Sequence, residues 1–175
     1  MKNCKSFRIW TEDRYGVKFF DNLLRRIERE LEIRISPHKD IKSTMGAGGI
    51  DSKIVKLATA GWMRYDCIIF IRDGDRKRDN IHKDLKQKIE KIPDKQRKKN
   101  KQIILIVLNN KIELDWVEKG IGKKLPGDYD KAELPTYADK MDLNFLREDN
   151  NFKEFISAVD PWSLTPEKNF RDQRC

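Results

Sequence analysis

The chain has 175 residues, 38% hydrophobic and another 38% charged, with a formal net charge of +9. That length suits a single domain able to bury a core without disulfide or metal staples. No apolar run approaches the roughly 20 residues that a membrane span needs. Met1 to Ser6 leads into only a short apolar stretch and then acids, so the apolar middle of a secretory signal is missing and a cytoplasmic protein is expected.

Phe7 to Thr11 reads as a first strand. The helix after it is marked by Val17, Phe20, Leu23, Leu24, Ile27 and Leu31 at three- and four-residue intervals, with Arg25, Arg26, Arg29 and Glu30 on the remaining surface. Ile33 to Ser36 is a candidate short second strand stopped by Pro37. A loop ending in Met45-Gly46-Ala47-Gly48-Gly49 opens an amphipathic helix carrying Ile50, Ile54, Leu57 and Ala58. Asp66 to Arg72 is a continuous apolar run of the kind found at the centre of a parallel sheet. Ile81, Leu85, Ile89 and Ile92 mark the next helix, Gln102 to Leu108 another buried strand, and Ile112 to Val117 the start of a further helix.

This alternation predicts an α/β fold with a central, mostly parallel sheet of about four strands flanked by helices. Residues 120–135 read as a surface excursion. Tyr137 to Leu146 and Phe152 to Val159 read as a small C-terminal helical extension, a cap or an edge packing. The expected organisation is one domain over 1–160, with a core of about 5–120, an extension of about 136–160 and a poorly ordered tail at 161–175.

Cys4, Cys67 and Cys175 have no paired spacing and, with only His38 and His82 beside them, make no zinc-type motif. Dispersed thiols fit a reducing compartment, and Cys67, at the start of an apolar run, reads as core.

The candidate chemistry lies at the ends of two strands. Glu12 follows the first, and Asp73-Gly74-Asp75 follows the third. In a parallel sheet the carboxyl ends of the strands open into a common crevice, where carboxylates distant in sequence meet and can hold one hard cation through oxygen. Each feature has an ordinary reading as well: an acid at a helix entrance is favoured by the helix dipole, and Asp-Gly-Asp is a common turn.

Directly after the aspartates, Arg76 to Lys101 holds twelve basic residues against four acids. Such a block is either a solvated helix and loop or a surface for a polyanion. Lys77, Arg78, Lys95, Arg97, Lys98, Lys99 and Lys101 are its candidate nucleic-acid contacts, Lys77 and Arg78 being nearest the acids.

Glu12 after the first strand and Asp73-x-Asp75 after the third resemble the Toprim domain of type IA topoisomerases, bacterial primases and OLD-family nucleases, while the run Gly46-Ala47-Gly48-Gly49-Ile50 and Glu113 after the fourth strand look like those of small stand-alone Toprim-like proteins. The resemblance spans roughly residues 5–120. Asp13 stands where glycine usually follows the glutamate, and Arg72 where an apolar residue is common. The resemblance implies a Rossmann-like Toprim fold and a magnesium site, open also to manganese, held by Asp73 and Asp75. Glu12 would be a ligand or a general acid or base in phosphodiester chemistry.

Glu113, with Asp115, is either part of a second metal site or a helix-start acid. The expected activity is that of a nuclease on DNA or RNA. The alternative is a catalytically silent module that binds nucleic acid or a partner protein, and self-association is compatible with either. Tyr15 and Tyr65 are set aside as strand-passage nucleophiles because the chain lacks the modules that reaction needs. The Asp-x-Asp of haloacid-dehalogenase-like phosphatases belongs at a first strand, and that of sugar-nucleotide transferases leaves Glu12 and the basic block unexplained.

Overall fold

The computed structural model describes residues 4–93 and 101–160. Four strands, β1 (Phe7–Thr11), β2 (Lys39–Ser43), β3 (Cys67–Arg72) and β4 (Gln102–Val107), form one sheet in the order β2-β1-β3-β4 with every pair parallel. The connections are helical: α1 (Arg14–Glu30), α2 (Ala47–Gly61) and α3 (Arg78–Glu90). After β4 come a π-helical turn (Glu113–Val117), α4 (Glu118–Ile121), a 3-10 turn (Lys131–Glu133), α5 (Leu134–Tyr137), α6 (Leu143–Leu146) and α7 (Asn150–Val159). The α/β class and the parallel sheet are as the sequence predicts. Among the described residues no helix is long and apolar enough to cross a membrane. The expected tail at 161–175 lies outside the described residues.

Successive side chains of a strand point to opposite faces, and β3 is buried on both. Ile69 and Ile71 pack with Phe7, Ile9, Ile104 and Ile106 under α1, whereas Ile68 and Phe70 pack with Ile50, Ile54 and Ala58 of α2 and Leu85 of α3. The C-terminal helices join the α1 face. Trp116 of the π turn stands edge-on to Phe20 at 6.0 Å and to Phe152 at 5.4 Å between ring centres. Arg26, assigned to the surface by periodicity, is buried here: its Nη1 donates to the carbonyls of Ala138 and Met141 at 2.6 and 2.7 Å, tying the extension to α1.

Two further expectations fail. The second strand is Lys39–Ser43, not residues 33–36, which carry no regular structure. It is an edge strand, so only Ile41 of Lys-Asp-Ile-Lys-Ser joins the core, and its partnership with β1 is reinforced by the Arg8–Asp40 ion pair at 2.6 Å. Ile35, in the irregular segment before β2, is buried in the core, and its burial imitates a strand.

The cysteines are not all free thiols. Cys4 and Cys67 form a disulfide, with Cα atoms 5.5 Å apart, across 63 residues of sequence. No spacing rule anticipates it, because the two meet only once β3 lies beside β1. Cys67 is nonetheless in the core, as expected.

Candidate acidic site at the carboxyl edge of the sheet

The alternation along β3 dictates how the site is built. Arg72 continues the Ile68 and Phe70 side and meets α2, whereas Asp73 continues the Ile69 and Ile71 side and meets the elements after β4. Arg72 is only 6% exposed. Its Nη1 donates to Glu12 Oε1 at 2.7 Å and to the Asp73 carbonyl, while Nε and Nη2 donate to the Asp51 carboxylate at 3.1 and 3.2 Å. Glu12 Oε1 also accepts the Asp73 amide at 2.8 Å. The ends of β1 and β3 are thereby joined through one carboxylate oxygen and one guanidinium.

Glu12 is held from its own side as well. Asp13 caps α1 through an Oδ1 that accepts the Gly16 amide at 2.9 Å. The Gly46 amide donates to the Glu12 carbonyl. Gly46 has φ +131°, which a side chain would strain, so glycine suits the point where the loop after β2 turns into α2, and Gly48 and Gly49 already belong to that helix.

Asp73 lies inside. It is 9% exposed, and its Oδ1 accepts the Ile112 amide at 3.2 Å. Beside it Glu113, 4% exposed, has Oε1 3.5 Å from Lys131 Nζ, which also sits 2.6 Å from Asp13 Oδ2. Glu113 Oε2 and the Tyr129 hydroxyl are buried with no hydrogen-bond partner among the described residues.

Asp75 points the other way. Its side chain is 66% exposed, 3.8 Å from Arg72 Nη1. The two aspartates separate because the loop is pinned: the amides of Gly74 and Asp75 donate to Asn110 O at 2.7 and 2.9 Å, and Arg76 donates to Asn109 O at 3.0 Å. Asp75 and Arg76 take positive φ. A Cβ on Gly74 would stand 1.9 Å from Leu108 O. Gly74→Ala must therefore push two backbones apart, and a loss of about 1–3 kcal/mol is expected, read as a fall in Tm of several degrees. An unchanged Tm would show that this approach is looser than described.

Charge is poorly balanced around Asp73. Burial, and then the neighbouring charges of Glu12 and Glu113, push its carboxyl from 3.8 up to about 8, against the pull of Lys131 and the Ile112 amide. Burial also raises Glu12; the Asp73 amide and Arg72 work in the opposite sense, and Asp75 adds to the rise. For Lys131 burial acts to lower the pKa, but Asp13, Glu113 and Asp73 outweigh it and hold the ammonium above the ordinary lysine range.

Between about pH 4 and 8 the folded chain keeps a proton on Asp73 that the unfolded chain has released, so the stabilisation is full below the unfolded pKa and lost as pH rises through the folded one. In chelator, Tm is expected to fall from about pH 5 to about pH 8.5, and Asp73→Asn to flatten that slope. A parent Tm that is level or rises across the window contradicts the assignment.

The other candidates fall in different places. Asp115 is occupied by Asn110, whose amide and Nδ2 donate to it at 2.8 and 3.0 Å, so it fixes the loop after β4. Arg78 donates Nε to the Val107 carbonyl at 2.9 Å and secures the end of β4, while Lys77 is exposed at the start of α3. Lys101 stands at the opposite, amino edge of the sheet, where Nζ pairs with Asp66 at 2.9 Å. The basic block is thus divided, because α3 carries the chain about 20 Å away from the acids over its 13 residues. Lys95, Arg97, Lys98 and Lys99 lie outside the described residues. Asp51, Tyr129 and Lys131 were not anticipated; the excursion at 120–135 folds back over the site, and sequence pattern carries no sign of that return.

The fold and site define a parallel α/β protein with an acidic cluster at the carboxyl edge of its sheet. The chain matches no family model, no curated protein and no solved structure. Among the described residues no group of three or more His, Cys, Asp or Glu side chains is arranged to hold a metal ion.

Proposed function

We propose that this chain is a Toprim-like, magnesium-dependent nuclease whose reacting centre lies at Asp73 and Glu113. One observation carries the reading: a buried Glu113 oxygen without a partner faces a neighbourhood in which Asp73 is driven to about 8 by burial and by other carboxylates. Excess buried negative charge of this kind is what a divalent cation relieves. Magnesium commonly takes only one or two carboxylates and keeps its waters, so Asp73 and Glu113 fit it without a third protein ligand. When bound, the ion would neutralise phosphate charge and acidify a water.

The chain's own groups supply the rest. Glu12, fixed by the Asp73 amide and by Arg72 and with a pKa above the ordinary carboxylate range, is the candidate proton acceptor at the site. Lys131, which pairs with Asp13 and Glu113, offsets part of the remaining carboxylate charge. Asp75, facing solvent, is the candidate ligand for an ion that arrives with substrate, and manganese should substitute for magnesium.

The silent-module reading draws support from Arg72. Its guanidinium already neutralises Glu12 and Asp51, doing for those acids what a bound cation would do. Such a module would bind nucleic acid in a salt-sensitive way, or a protein partner, without turnover. Incubation of the protein with single- and double-stranded DNA and RNA in magnesium, manganese or chelator separates the two. The nuclease reading expects cleavage that chelator abolishes; binding without cleavage in any metal favours the silent module.

A further inference from the structure

Beyond the acids, the same edge of the sheet carries a groove that the catalytic reading leaves unused. Two cavities of about 500 and 390 Å³ adjoin there, sharing Arg78 and Asn109 as their common wall. The first is lined by Arg76, Lys77 and Asn80 beside the Asp73-Gly74-Asp75 loop, and the second leads to Phe145 on α6 and the start of α7.

The groove's charges are unequal. Its acids are paired: Asp149 with Lys119 at 2.7 Å, Glu148 with Lys153 at 3.1 Å and Asp79 with Arg78 at 3.6 Å. The side chains of Arg76 and Lys77 have no ion-pair partner among the described residues, so the groove keeps two uncommitted cations. Asn80 and Asn109 likewise present side-chain amides with no hydrogen-bond partner among the described residues. At the far end Phe145 is 66% exposed, one of three large hydrophobic side chains more than half exposed among the described residues.

Uncommitted cations at one end, free amides between and a bare aromatic ring at the other match the needs of one substrate form. A single strand offers phosphates to cations and an unstacked base to an aromatic face; in a duplex the bases are stacked on each other and unavailable to Phe145. We infer that this groove seats a single-stranded segment of nucleic acid, with Arg76 and Lys77 on phosphates and Phe145 stacked on a base. The inference rests on the nucleic-acid reading above and deepens it by assigning the strandedness of the substrate.

The test is binding rather than cleavage, so that each reading can fail alone. Fluorescence anisotropy with labelled 12-nucleotide single strands, and with blunt duplexes of the same sequence, is measured in chelator. The parent should bind the single strand more tightly. Phe145→Ala should weaken that binding by about 5- to 100-fold, leave duplex binding unchanged and be rescued by Phe145→Trp. Charge reversal at Arg76 and Lys77 should weaken binding to all sequences and reduce the salt dependence by about one ion per site.

Phe145 is exposed, so its truncation should leave Tm nearly unchanged and the comparison clean. Single-strand affinity unaffected by Phe145→Ala, tighter duplex binding by the parent, or no oligonucleotide binding at all would each overturn the inference. Metal-dependent cleavage by the parent would then still stand on Asp73 and Glu113, whereas binding as expected without cleavage keeps the groove and removes the enzyme.

Discussion

Asp73→Asn is expected to lower metal-dependent cleavage by at least about 100-fold, the upper end of what loss of an outer-shell partner of a metal ligand costs, while leaving the metal-free protein as stable as the parent or more stable above about pH 8. The two effects share a cause. Without a bound cation ionised Asp73 is unfavourable, because burial, Glu12 and Glu113 all oppose its charge. Asparagine retains an oxygen that can accept the Ile112 amide but removes the charge, relieving the strain while discarding the metal donor. A variant that loses both activity and stability would place Asp73 in the architecture. One that keeps activity would remove it from the chemistry.

Arg72→Met should have the largest effect on stability. Arg72 is buried and supplies hydrogen bonds to Glu12, to Asp51 and to the Asp73 carbonyl at once. Removing one member of a buried ion network leaves the others uncompensated at about 3–5 kcal/mol, and the lower end applies because Asp51 is partly exposed. For a chain of this length that is a fall in Tm of roughly 6–12 °C. The loss should be smaller at low pH, where Glu12 protonates, and smaller again when Glu12→Gln is combined with it. A cost below about 1 kcal/mol by chemical denaturation would mean that water already screens the network.

Much of the architecture is legible because β3 and β4 are unbroken apolar runs and α1 carries an unmistakable stripe. Those elements put Glu12 and Asp73 at one edge, and the structure joins them through Arg72. What stays hidden has physical reasons. β2 is an edge strand with a single core residue, Ile41, so its sequence reads as loop, while buried Ile35 reads as strand. The disulfide depends on β3 lying next to β1, a tertiary fact. Lys131 and Tyr129 reach the acids from an excursion whose Gly, Pro, Asp and Lys content signals only surface. The basic block looks continuous in sequence, yet α3 separates Arg76 and Lys77 at the acidic edge from Lys101 at the other.

The role of Arg72 was also visible only in part. Its place before the aspartates marks a departure from the Toprim pattern, but that it serves Glu12 and Asp51 together follows from strand alternation and the position of α2. Arg72 therefore decides which acids are free: Glu12 is half committed, and Asp73 with Glu113 holds the uncompensated charge.

The most direct test is manganese binding, followed by electron paramagnetic resonance titration of the parent and of Asp73→Asn across the same pH window. One strong manganese ion per chain is expected, with affinity that rises toward about pH 8 as Asp73 gives up its proton and with loss of that ion in the variant. No strong binding by the parent, or binding that Asp73→Asn leaves intact, would contradict it.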